Sequence, residues 1–403
     1  MKTFSIFIGA LLLGGAIGAQ NQAHQATVIN IEVPVRVFDH GKFVESLTRD
    51  DFFITENGIP QKIEALYLVK STDIERQETL RDINPELSRK FNFICRLTDY
   101  NPGFEEATKH FLENIVQSGD TLDLYTPMKH YFLNKNVLME NSREKIAKDM
   151  NTILKRDINA AGKEYNSLTK ELKRIVRSIR YCVDETCNPT SFGMEGQDVG
   201  ALSGLDFLLS RYFEIVRKRE SLSAFNEKTL LSFLGSLKNQ GNQNVVFFIY
   251  QKEYLPVLEQ RYIGALADLS PEGAVNMTQM NNIYKNKFSN LTEIEQIAAD
   301  SGVLFNFIYI NNKESSGAGI EIAEIEQSTF SALTKTAEST GGVTSGNANL
   351  AESLKKAASA AENYYLLYYT PTNSPRNGDF KNIKVEVKNK DLSVKHKKGY
   401  FSD

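Results

Sequence analysis

Histidine and cysteine are scarce and scattered in this chain of 403 residues. The five His (His24, His40, His110, His130 and His396) form no zinc-ligand spacing. Neither G-x-G-x-x-G nor G-x-x-x-x-G-K-[ST] occurs, so nucleotide binding has little support. Charge of one sign is also lacking: the net charge is −3. That argues against wholesale attraction to nucleic acid or anionic membrane. No run of eighteen apolar residues appears after residue 19, so no later membrane span is expected.

What is present is a globular composition, 41% apolar and 24% charged. The length suits two or three domains. Residues 1–19, MKTFSIFIGALLLGGAIGA, place Lys2 before a short apolar core closed by Gly and Ala. This reads as a secretory signal peptide cut near Ala19, and the mature chain as periplasmic or secreted. Cys95 lies in an apolar run and reads as a buried thiol. Cys182 and Cys187 flank VDET. In an oxidising compartment they form a local disulfide or stay as two free thiols. No His lies near enough to favour a metal pair.

Residues 28–37, VINIEVPVRV, alternate apolar and polar and predict a half-buried strand. Pro34 lacks an N–H, so an edge strand or a bulge is expected there. Asn57-Gly58 between FFIT and IPQKIEAL predicts a hairpin. Thr48, Asp50 and Asp51 suit a capped turn rather than catalysis.

The middle of the chain alternates helix and buried strand, which argues a mainly parallel sheet between helices. FNFICRLTDYNPGFEE (91–106) reads as its first strand, a loop and a helix start. In open sheets ligands bind at strand carboxyl ends, so Arg96, Thr98, Asp99, Tyr100 and Asn101 are the binding-loop candidates. NVVFFIY (244–250) reads as a central strand covered on both faces. Residues 140–181 read as two helices joined near Ala160-Ala161-Gly162, and 271–288 as irregular. Lys173, Arg174, Arg177 and Arg180 make a basic run, a solvated face or a surface for an acidic partner. The end returns to β. NYYLLYYTP (363–371) carries four Tyr read as core, and Lys395, Lys397 and Lys398 guard an edge strand.

Three segments carry a resemblance. IEVPVRVFDHGKFVESLTRDDFFITENGIPQKIEAL (31–66), Ala337 to Gly342 in the form A-x-x-T-G-G, and the tail NYYLLYYTPTNSPRNGDFKNIKVEVKNKDLSVKHKKGYF (363–401) together resemble the bacterial von Willebrand factor type A-related proteins first noted in acidobacteria. The resemblance implies a type A domain with a doubly wound sheet. It also implies a metal-ion-dependent adhesion site, Asp-x-Ser-x-Ser after the first strand. Here Arg96, Thr98 and Tyr100 stand at those positions, and Gln251-Lys252-Glu253 follows the strand where a later Asp is expected. A guanidinium at position 96 repels a cation by on the order of several kcal/mol at intermediate dielectric. The usual metal site is therefore read as lost and no cofactor is assigned, although a divalent cation such as Mg²⁺ stays open.

The expected architecture follows. The fold class is α/β, a doubly wound, mainly parallel sheet inserted in a small β-sandwich made by the two terminal segments. The expected divisions are a signal peptide (1–19), an N-terminal β segment (26–75), the type A-like domain (88–362, with a helical insertion at about 140–200) and a C-terminal β segment (363–403). The expected function is a non-enzymatic interaction or adhesion module with a protein partner. The alternatives are a scaffold or assembly factor of an envelope complex, and a hydrolase using the same crevice.

Overall fold

The structure, a computed structural model, describes residues 30–80, 83–85, 87–184, 201–223, 227–238, 243–285, 288, 290–311, 320–324, 327–346, 349–372 and 377–402. The expected signal peptide and Cys187 lie outside the described residues.

The chain opens with β1 (Ile31–Asp39), β2 (Lys42–Phe43), β3 (Phe52–Glu56), β4 (Ile59–Gln61), β5 (Ile63–Lys70) and β6 (Asp73–Thr79). The middle runs β7 (Arg89–Arg96), α1 (Gly103–Asn114), β8 (Thr121–Tyr125), β9 (His130–Leu133), α2 (Lys135–Glu140), α3 (Arg143–Asp184), α4 (Ala201–Ser223), α5 (Glu227–Leu237) and β10 (Gln243–Gln251). It continues through β11 (Tyr254–Leu258), α6 (Gln260–Leu269), α7 (Pro271–Lys285), α8 (Leu291–Asp300), β12 (Leu304–Ile310), β13 (Ile320–Glu324), α9 (Gln327–Ser339), β14 (Thr344–Gly346) and α10 (Leu350–Glu362). The tail holds β15 (Asn363–Tyr369), β16 (Phe380–Val387), β17 (Ser393–His396) and β18 (Gly399–Phe401).

Strand pairing corrects the expected fold class. Among the described residues ten pairings are antiparallel and four are parallel. The chain is therefore a mixed α/β protein rather than a mainly parallel, doubly wound one. It has several antiparallel sheets, one curled into a half-barrel, and one mixed sheet. The mixed sheet has the order β14-β12-β10-β7-β8-β9, with β9 antiparallel at its edge. The physical reason is that helix–strand alternation shows only that a crossover is long enough for parallel pairing. It does not show that β13 returns against β11.

β1 pairs with β15 and β17, and β3 pairs with β16. The inward faces of these two sheets share one apolar cluster, with Val33, Val35 and Leu367 facing Ile54, Ile383 and Val385. Pro34 sits in a doubly paired strand, not at an edge. β17 pairing starts at Val35, so the missing N–H removes no bond on that side.

Helices cover the mixed sheet on both faces. α1, the first half of α3 and α10 pack on one; α5, α8 and α9 pack on the other. The second half of α3 leaves the sheet. It builds a separate cluster with α4, β11, α6, α7 and β13. This helical lobe reaches well past residue 200. Two further expectations are corrected. Residues 143–184 form one helix of 42 residues, not two, and 271–285 is helical rather than irregular. Ala160 and Ala161 are strong helix formers, so one internal Gly does not break α3.

Candidate functional site

β7, β8 and β10 run parallel, and their carboxyl ends meet the middle of α3. A cleft of about 330 Å³ opens there. It is lined by Arg96 at the end of β7 and Thr98 after it, Met128 after β8, Glu164 on α3, Tyr250 near the end of β10 and Glu253 just beyond it, with Leu222 of α4 at the rim. A small annex of about 50 Å³ adjoins it, sharing Thr98, Tyr165 and Gln251.

The loop after β7 is pinned from two sides. Gln251 Oε1 accepts from the backbone N–H groups of Thr98 and Asp99, each at 3.1 Å. Gln251 Nε2 donates to Asp99 Oδ2 at 3.0 Å. Asn166 Nδ2 donates to Asp99 Oδ1 at 2.7 Å and to the Thr98 carbonyl at 3.3 Å. Both oxygens of the Asp99 carboxylate are thus held by amide donors. α3 approaches so closely that a Cβ on Gly162 would lie 1.8 Å from the Thr98 carbonyl oxygen. Only glycine fits that contact. The residue that reads as a helix break is the point where helix and loop touch.

The five sequence-derived candidates separate. Arg96, Thr98 and Asp99 come together, the first two in the cleft and Asp99 in the annex with Lys173, Arg219 and Lys252. Tyr100 turns away, stacking on Phe104 at 6.0 Å and donating its hydroxyl to Asn151. Burial pushes the Tyr100 phenol above its usual pKa. Asn101 starts α1: its Oδ1 accepts from Gly103 N–H at 2.8 Å. Gln251, Asn166, Gly162 and Tyr250 are the residues that sequence reasoning missed. Gln251 is recognisable only as the residue at a strand end. Asn166 and Gly162 lie more than sixty positions from the loop and carry no local signal.

The electrostatics of the cleft are mixed. Glu164 pairs with Lys218 at 2.8 Å. Arg219 is buried, stacks on Tyr165 at 4.3 Å, and donates to that hydroxyl and to the Tyr254 carbonyl. On α3, burial and the charge of Arg177 pull the Lys173 ammonium below its usual pKa. Tyr250 is 4% exposed, and its hydroxyl has no hydrogen-bond partner among the described residues.

Away from the cleft, Cys95 is a free, buried thiol whose pKa burial raises. Cys182 is disulfide-bonded; its expected partner, Cys187, is outside the described residues. Among the described residues no group of three or more His, Cys, Asp or Glu is placed to hold a metal, and no helix is long and apolar enough to cross a membrane. The A-x-x-T-G-G segment closes α9: Thr340 Oγ1 accepts from Phe305 N–H at 3.1 Å. A Cβ on Gly342 would lie 1.9 Å from the Phe305 carbonyl oxygen, so that motif has a packing role. Comparison with family models, curated proteins and solved structures gives no match.

Proposed function

We propose that the chain is an exported, periplasmic or secreted, non-enzymatic interaction module that receives a protein partner in the strand-end cleft. One observation carries this reading: the loop over the cleft is held rigid by its own chain. Gln251 and Asn166 occupy the Asp99 carboxylate, and Gln251 also occupies the Thr98 and Asp99 amides. A preorganised concave surface loses little entropy on binding. Met128 and Leu222 are exposed at its margin and offer apolar contact to a partner. The three segments resembling the von Willebrand factor type A-related group support the same reading.

Partner capture from the native envelope, with cross-linking, tests it. Met128→Asp and Leu222→Asp should each weaken capture of one defined protein by about tenfold or more, because each puts a charge where an apolar contact is expected. Phe53→Asp, exposed on the distant β3, should leave capture unchanged. Equal loss in all three variants, or in none, rejects docking at the cleft.

A further inference from the structure

We propose that α3 binds a linear anionic polysaccharide along one face, through Lys163, Lys170, Arg174 and Arg177. The inference lies outside the cleft and rests on the reading above only in taking the chain as exported.

α3 concentrates positive charge in a chain whose net charge is −3: it holds eleven Lys and Arg against six Asp and Glu. Spacing aligns part of that charge. Lys163, Lys170 and Arg177 recur every seven residues, with Arg174 between the last two, so a period of 3.6 puts all four on one face. The helical rise sets the seven-residue steps about 10.5 Å apart. All four residues are exposed, and none forms an ion pair among the described residues.

The acids of α3 that could neutralise this row point elsewhere. Glu164 pairs with Lys218 and Glu171 with Arg211, each at 2.8 Å, so both face α4. Asp157 is buried and accepts from Arg156, Tyr131 and Thr126. Lys170 and Arg174, and likewise Lys173 and Arg177, are like charges four residues apart, an arrangement that weakens a helix. After burial, the charge of Arg177 is the second cause of the lowered Lys173 pKa. A polyanion laid along the face removes that repulsion and releases its own counterions.

The make-up of the face narrows the class. From 163 to 177 the exposed residues are Lys163, Glu164, Ser167, Lys170, Arg174 and Arg177. None is an aromatic on which a base could stack. None is an apolar anchor of the kind that holds a protein interface. A duplex winds its phosphates away from a straight row of cations, whereas an extended polysaccharide follows it. Ser167 adds a hydroxyl that can donate to or accept from sugar hydroxyls. An exported chain also meets polysaccharide rather than cytoplasmic nucleic acid.

Isothermal titration calorimetry of the full chain tests the proposal. The probes are oligogalacturonate for a carboxylated polysaccharide and dextran sulfate oligomers for a sulfated one. Neutral dextran, polyglutamate and oligothymidylate are the comparisons. At least one anionic glycan should saturate, more tightly than all three comparisons, with an affinity that falls as salt rises. The glycan that saturates identifies the anionic group. The triple variant Lys163→Glu, Lys170→Glu, Arg177→Glu should weaken it by about tenfold or more and flatten the salt dependence. Its Tm should be unchanged or raised, because like-charge neighbours are removed. Lys42→Glu, Lys62→Glu, Lys384→Glu makes the same charge change at exposed sites in the terminal sheets and should bind as the parent does. The proposal is overturned if neither glycan saturates, or if any comparison binds as tightly. It is also overturned if the two triple variants behave alike, or if the α3 variant has a lowered Tm. If it falls while Met128→Asp and Leu222→Asp still lose the captured protein, docking at the cleft stands and only the glycan falls.

Discussion

In the terminal sheets every tyrosine hydroxyl of β15 has a partner. Tyr369 and Tyr400 both donate to Glu56, at 2.7 and 2.9 Å, and Tyr368 donates to Glu32 at 2.6 Å. Tyr365 donates to the Val44 carbonyl at 2.7 Å, and Tyr364 accepts from Gln243. At the strand-end cleft the equally buried Tyr250 has no such bond among the described residues. Polar satisfaction in the first region joins the two chain ends into one unit, because four of these five bonds link the opening segment to the tail across more than three hundred residues of sequence. In the second region the loop backbone and Asp99 are satisfied while a donor on the floor is left over. A group that contributes nothing to the unbound protein is available to a ligand.

The largest test of that contrast is Gly162→Ala. The added methyl would meet the Thr98 carbonyl at 1.8 Å. We expect a loss of about 3 kcal/mol from overpacking against backbone. That exceeds the helix gain of roughly 1 kcal/mol. Urea denaturation measures the loss, and hydrogen exchange at the Thr98 and Asp99 amides should accelerate. A variant as stable as the parent would show that α3 does not clamp the loop.

Next in size is Glu56→Leu in the terminal sheets. It strands two tyrosine hydroxyls beside a buried site and should cost about 2 kcal/mol. Adding Tyr400→Phe should recover part of the loss, and a double-mutant cycle by thermal unfolding reads the coupling. Additive losses would mean that the hydroxyls find other partners.

The smallest effect is a pH dependence at His396. Its Nε2 accepts from Val385 N–H at 3.2 Å and its Nδ1 donates to the Lys397 carbonyl at 2.8 Å, so the ring is neutral. Burial, and secondarily the charge of Lys398, hold its pKa below the ordinary value, against the opposing bond to the Lys397 carbonyl. The unfolded ring titrates near 6.5 and binds protons that the folded ring refuses. This contribution is therefore complete above about pH 6.5 and is lost as the pH falls through and below that value. The drop in Tm between pH 7.5 and pH 5 should be smaller in His396→Gln than in the parent. An equal drop would assign the acid sensitivity elsewhere.

Local patterns were legible where the chemistry is local. Alternation in VINIEVPVRV marked β1, and Asn57-Gly58 marked the β3–β4 turn. Thr48 and Asp51 do cap a short turn, with Thr48 N–H donating to Asp51 at 2.9 Å. The apolar run at 244–250 became β10, flanked by β7 and β12. Other local readings failed, among them those at Gly162 and Pro34. Gly162 stays helical between strong helix formers in a helix whose two halves pack in different cores, and Pro34 is accommodated by where β17 begins. The binding loop was legible only in part. Arg96 and Thr98 follow from strand position, but the groups that hold the loop lie on α3 and β10.

By itself the sequence determined many of the strands and helices, which of their faces are apolar, and that position 96 carries a cation where the resembling group carries an acid. Those properties follow from residue type and short-range spacing. The tertiary structure alone decided the predominance of antiparallel pairing, the register of the tail strands against the opening ones, and the clamp of Asn166 and Gln251 on Asp99. It also decided that Tyr250 ends beside Arg96 with its hydroxyl unspent. Each of these depends on groups brought together across tens to hundreds of residues, where spacing along the chain carries no information about distance in space.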